Sequence, residues 1–117
     1  MARVERVASL LRQEIAAILQ RKISDSRIGF ISITDVEVTK DYSVATVYYS
    51  QLGSDADKEK TRKGLGSASK FVHYELGKSL NYLQSIPRIR FRYDDGIDRG
   101  TETLSKLNNL ASEDAAQ

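Results

Sequence analysis

There is no cysteine anywhere in the 117 residues. Its absence excludes a disulfide framework, a cysteine-ligated zinc or iron-sulfur site and a thiol nucleophile, and it suits a reducing, cytoplasmic setting. Long apolar runs are missing too. The longest stretch without a charge, Tyr42 to Ser54, is too short and too polar to cross a bilayer. Arg3, Glu5 and Arg6 stand where a signal peptide needs an apolar core, so a soluble, unprocessed protein with no membrane partner is expected. Histidine is scarce: His73 is the only one, and no HExxH, calcium-loop or other metal spacing accompanies it, so neither a metal nor a cofactor is expected. A hydrolytic triad would need a serine and a carboxylate that the sequence does not place near His73, whose plainer reading is a helix surface or core edge. The adjacent Asp94 and Asp95 read as capping or turn residues rather than an acid/base pair. Gly64-Leu65-Gly66-Ser67-Ala68-Ser69-Lys70 fails as a phosphate loop. Ser69 occupies the second glycine position, Phe71 stands where Ser or Thr is needed, and no apolar strand precedes it. Catalytic residues are therefore not assigned, and the chain does not read as an enzyme.

What is present is an uneven distribution of charge. The formal net charge is only +2, yet residues 1–50 hold seven basic and six acidic side chains, residues 51–93 nine and four, and residues 94–117 two and six. A basic middle precedes an acidic tail. Such asymmetry points one surface toward a polyanion, and for a small basic domain nucleic acid is the natural one. The length suits a single domain, taken as residues 1–110 with a frayed tail at 111–117; folding would remove roughly 65% of the unfolded chain's surface, enough to dispense with metals or cross-links.

The hydrophobic pattern divides the chain into elements. Val4, Val7, Ala8, Leu11, Ile15, Ile18 and Leu19 fall on one helical face between Arg3 and about Lys22. Ser24 to Gly29 supplies turn chemistry. Ile31 and Ile33 then alternate as a strand, but Val36 and Val38 continue in the opposite parity, which requires either a bulge near Thr34-Asp35 or two halves in different environments. Ser43 to Ser50 is a second strand, joined to the first through Lys40-Asp41-Tyr42 as an antiparallel hairpin. Gly53 to Asp57 reads as a loop. Lys58 to about Leu80 is helical, with Leu65, Ala68, Val72, Leu76 and Leu80 or Leu83 in register, but Gly64 and Gly66 weaken its middle, so two helices meeting at a kink near Ala68, Ser69 and Lys70 are expected. The one proline, Pro87, biases Ile86 toward extended backbone and introduces a strand in which Arg88, Arg90 and Arg92 alternate with Ile89, Phe91 and Tyr93. Ile97, Leu104, Leu107, Leu110 and Ala111 permit a short C-terminal helix.

The basic set on the interrupted helix and the following strand comprises Lys58, Lys60, Arg62, Lys63, Lys70, Lys78, Arg88, Arg90 and Arg92. Beside a junction of small residues, where another chain can approach closely, these nine are the candidate RNA-binding residues; the plain alternative is a solvated helix face.

The order α-β-β-α-kink-α-β is that of a type II KH domain, an α+β architecture with a three-stranded sheet. No GXXG, the loop with which KH domains clamp a nucleic-acid backbone, occurs at the junction. From residue 2 to about 110 the chain resembles the bacterial ribosome-binding factor A family. The resemblance rests on Arg6-Val7 through Glu14-Ile15, Asp25-Ser26-Arg27-Ile28-Gly29, Ile33-Thr34-Asp35-Val36-Glu37-Val38 with Lys40-Asp41, Ala45-Thr46-Val47-Tyr48, Glu75-Leu76-Gly77-Lys78, and Ile86-Pro87 through Phe91-Arg92-Tyr93-Asp94-Asp95. It departs from the family at the kink, where the Ala-x-Gly pattern reads Ala68-Ser69-Lys70. The resemblance implies a monomeric, cytoplasmic, non-enzymatic factor of ribosome biogenesis. Such a factor binds 16S rRNA and the free or immature 30S subunit and assists late maturation, including 5′-end rRNA processing and cold adaptation. The rival readings are a general RNA-binding module or a protein-interaction module without a ribosomal role.

Overall fold

A computed structural model describes residues 3–94. The first amphipathic stretch forms helix α1, Arg3–Arg21, which buries Val7, Leu11, Ile15 and Ile18 along one stripe. Strand β1, Ile31–Val38, pairs antiparallel with β2, Val44–Gln51, and the register shifts between Ile33 and Asp35. This bulge resolves the parity conflict. Ile33 pairs with Tyr49 and Val36 with Val47, so both apolar pairs of β1 face the same side of the sheet. The hairpin turn places Tyr42 at φ 62, a left-handed conformation uncommon for a tyrosine. The Asp41 carboxylate supports it by accepting from the Ser43 amide at 3.0 Å and from the hydroxyls of Ser43 and Thr39 at 2.7 and 2.9 Å. Those bonds, the Ser43 hydroxyl's foremost, lower the Asp41 pKa.

Helix α2 runs unbroken from Asp55 to Ser79, 25 residues, in place of the two helices expected to meet near Ala68. It also begins three residues before the expected Lys58. The Ser54 hydroxyl accepts from the Asp57 amide at 3.1 Å while the Asp57 carboxylate accepts from the Ser54 amide at 3.4 Å, a capping box that converts the supposed loop into a first turn. Continuity through the glycines has a packing reason. A Cβ on Gly64 would lie 2.7 Å from Ile28 Cγ1, so this buried position must stay small for the loop after α1 to close on the helix. That contact offsets the propensity cost of about 1 kcal/mol.

Strand β3, Arg88–Tyr93, pairs parallel with β2, giving the sheet order β1-β2-β3. The two helices lie on one face, α1 over β1 and α2 over β3. Between them and the sheet sits one core that includes Leu11, Ile15, Val36, Ala45, Val47, Val72, Leu76 and Ile89. Pro87 is fully buried, and the Arg88 amide donates to Ser43 O at 2.9 Å, fixing where β3 enters. The architecture is α+β and KH-like. The expected C-terminal helix and residue Asp95 lie outside the described residues. Asp94 donates its amide to Tyr49 O and accepts from the hydroxyl of the bulge residue Thr34 at 2.8 Å, a tie across the sheet end.

Candidate nucleic-acid interface

A cleft of about 570 Å³ separates α2 from β3. Two periodicities build it. On α2, Arg62, Gly66, Ser69 and His73 recur at helical spacing and line one wall, with Lys70 beside them; on β3, Arg88 and Arg90 form the opposite rim, and Tyr49, Ile89 and Phe91 make the floor. Among the described residues β3 is an edge strand. Its arginines therefore stand at an open border of the sheet, opposite a helix wall kept low by Gly66, whose missing Cβ would meet nothing within 4 Å. Arg62 is oriented by its hydrogen bond from Nε to Glu59 Oε2 at 3.0 Å. That bond raises the pKa of the guanidinium and lowers that of the carboxyl. His73 Nε2 lies 3.1 Å from Ile86 O and, in the tautomer that donates there, ties the wall to the segment leading into β3. Cations around a partly apolar floor suit a phosphate backbone with bases or sugars laid across it.

The nine candidate residues thus divide. Arg62, Lys70, Arg88 and Arg90 meet at the cleft; Lys58, Lys60, Lys63, Lys78 and Arg92 do not line it. Lys58 sits over the Tyr93 ring, 5.2 Å from its centroid, and Tyr93 packs edge-on against Tyr49 at 5.7 Å. Arg92 shares the outer sheet face with Arg88 and Arg90, in register with the buried Tyr48, but stands further along β3 than the cleft lining. Lys60 and Lys63 are exposed on the far flank of α2, and Lys78 donates to Glu75 Oε2 at 3.1 Å. Of the supposed kink residues, Ala68 is buried at the base of a groove shared with the segment that leaves α1, Ser69 is half-buried with its hydroxyl donating to Gly66 O at 3.0 Å, and Lys70 is exposed. His73 and the floor residue Phe91 are not among the nine candidates, although the spacing of His73 from Arg62, Gly66 and Ser69 is the signal that places it on the same wall.

Two polar devices hold α2 in position. In the loop before β1, Arg27 grips Asp25 through its guanidinium and its own amide, and these bonds pull the Asp25 pKa down to about 2. The loop then docks on α2: the Gly29 amide donates to Thr61 Oγ1 at 3.1 Å, and the Thr61 hydroxyl donates to Arg27 O at 3.4 Å. A Cβ on Gly29 would lie 2.4 Å from Gln51 Nε2, so any larger residue would have to displace the end of the buried Gln51 side chain. At the other end the buried Glu75 carboxylate accepts from Lys22 at the end of α1 and from Lys78, bonds that lower its pKa, the Lys22 bond most.

No group of three or more histidine, cysteine or acidic residues able to hold a metal occurs among the described residues, and none of their helices is long and apolar enough to cross a membrane. The profile of the family described as Ribosome-binding factor A matches residues 3–107. A ribosome-binding factor A of Staphylococcus saprophyticus is 43% identical over 112 residues, 96% of this chain and 97% of the relative. The fold is similar to the solution structure of a Thermotoga maritima protein described as a putative ribosome binding factor A: TM-score 0.65, 30% identity, 80% of this chain and 89% of that one. It is also similar to the Thermus thermophilus ribosome binding factor A fitted into a map of a 30S complex: TM-score 0.63, 22% identity, 80% and 93% covered.

Proposed function

This chain belongs to the ribosome-binding factor A family, a family of ribosome-binding factors rather than enzymes, and from that membership we propose that it is a cytoplasmic, monomeric assembly factor that binds the immature 30S subunit through 16S rRNA. Its role on that subunit is to assist late maturation, including 5′-end processing and growth in the cold. Residues 1–110 act as the single binding domain. The observation that carries the RNA part of the reading is the cleft, which gathers Arg62, Lys70, Arg88 and Arg90 along an open sheet edge. Four cations spread over two rims suit an extended phosphate backbone better than a compact anion. No bond is made or broken: the factor holds rRNA in one arrangement by binding that arrangement more tightly than its alternatives.

Sedimentation of tagged protein with cell extract tests the ribosomal part. The protein is expected with free small subunits and depleted from complete ribosomes, and equal recovery in both fractions at moderate salt would overturn an assembly role. Ultraviolet crosslinking on precursor subunits tests the rRNA part. Crosslinks to 16S rRNA that disappear in an Arg88→Ala, Arg90→Ala variant are expected, and crosslinks only to proteins would count against the cleft.

A further inference from the structure

Helix α2 has a second exposed flank that the cleft does not use. Advancing the cleft positions 62, 66, 69 and 73 by one residue rotates them about 100° around the helix and gives Lys63, Ser67, Lys70 and Tyr74, with Phe71 and Lys78 on the same stripe. Phe71 and Tyr74 are 40% and 64% exposed, unusual for large aromatics three residues apart on one helix. Their surroundings are cationic. Lys63, Lys70 and Lys78 are exposed along the stripe, and the Lys78 ammonium lies 5.3 Å from the Tyr74 ring centroid. The carboxylates nearby are each paired with a cation: Glu75 is buried and bonded to Lys22 and Lys78, Asp25 is held by Arg27, and Glu59 by Arg62. Phe71 also forms one wall of an open groove of about 270 Å³, lined by Ala68, Ser67 and the segment from Lys22 to Asp25, whose hydroxyl and carboxylate groups are suited to base edges.

We propose that this flank is a second RNA contact. Unpaired bases stack on Phe71 and Tyr74 while Lys63, Lys70 and Lys78 meet the flanking phosphates. The inference rests on the RNA-binding reading above, and Lys70, on the crest between the two flanks, lets one strand pass from the cleft over the helix to the aromatics. Stacking explains what charge alone does not: a protein-binding patch on this helix would have no need of lysines at every second turn, whereas single-stranded nucleic acid uses aromatic faces and cations together.

The test compares a short oligouridylate with an abasic ribose-phosphate oligomer of equal length, both binding the full chain, followed by fluorescence anisotropy across a salt series. The parent is expected to bind the oligouridylate roughly tenfold or more tighter than the abasic oligomer. A Phe71→Leu, Tyr74→Leu variant keeps apolar volume but removes the ring faces; it is expected to fall to abasic-level affinity for both, with the salt slope unchanged. Retained binding of the abasic oligomer by the variant shows that it is folded. Equal parent affinity for the two oligomers with a steep salt slope would overturn stacking and leave the backbone reading standing. Binding of neither oligomer by the parent would overturn both. Unchanged oligouridylate affinity in the variant would also overturn the proposal and leave the flank to a protein partner.

Discussion

The two glycines of α2 make opposite demands. Gly64 is buried under Ile28 and Arg27, where a methyl group would sit 2.7 Å from Ile28 Cγ1, whereas Gly66 faces the open cleft. In Gly64→Ala, strain of about 1–3 kcal/mol in a packed contact exceeds a helix-propensity gain of about 1 kcal/mol, so a lower melting temperature is expected. Gly66→Ala meets no obstacle and is expected to gain about 0.5–1 kcal/mol, since only the propensity effect remains. The same methyl raises the cleft wall, so RNA affinity is expected to fall while the melting temperature rises. A Gly66→Ala variant that binds RNA as the parent does would place the backbone away from that wall. The two glycines were read from sequence as one weakness because propensity acts locally, and only the docking of Ile28 from a distant loop distinguishes them. Ser54 offers a simpler case: Ser54→Ala removes the acceptor for the Asp57 amide and is expected to cost about 1 kcal/mol in thermal or denaturant unfolding.

Among elements, those whose partners lie close in sequence were legible, and those set by distant pairing were not. The α1 stripe, the antiparallel hairpin and the Arg-apolar alternation of β3 follow from period alone, and the parity break in β1 marked its bulge. The parallel pairing of β3 with β2 carried no such signal, because a parallel partner is chosen by the length and packing of the intervening helix. The contact between α1 and α2 was equally silent: nothing local marks Glu75 as the acceptor of Lys22. This contact gives the fold an acid-sensitive joint. Glu75 has its folded pKa below the ordinary 4.5 and Asp25 has its own lowered from 3.8 to about 2. A carboxylate depressed in the folded state binds protons more readily when unfolded, so its stabilisation is present above the unfolded value and is lost as pH falls through the folded one. Melting temperature is therefore expected to decline below about pH 4.5, with Asp25 contributing down to about pH 2. Glu75→Gln is expected to flatten the upper part of that decline while lowering the plateau at neutral pH, because one buried acceptor then faces two lysines. An unchanged pH profile in Glu75→Gln would show the ion pair to be absent in solution.

For the whole molecule, composition located the basic segment but not its partition, because nine cations within one span of sequence point away from one another once helix and strand set their directions. Four meet at the cleft, and the rest are spread over a second helix flank, the Tyr93 ring and the outer sheet face. The salt dependence of RNA binding turns that partition into a measurement. Each phosphate neutralised on a single strand contributes about −0.7 to the slope of log K against log[salt]. Replacing Arg88 or Arg90 by alanine is therefore expected to make the slope shallower by about 0.7 while weakening all sequences alike. Arg62→Ala is expected to do somewhat less, because Glu59 already shares the guanidinium and leaves less of its charge to neutralise a phosphate. Arg92 shares its face of β3 with Arg88 and Arg90 but does not line the cleft, so Arg92→Ala is expected to leave the slope unchanged although the charge lost is the same. That contrast separates a surface that acts by net charge from one that acts by geometry. If Arg92→Ala and Arg90→Ala shift the slope equally, the basic segment behaves as a diffuse field and the cleft has no privileged place in binding; if only the cleft arginines move it, the path of the strand lies between α2 and β3.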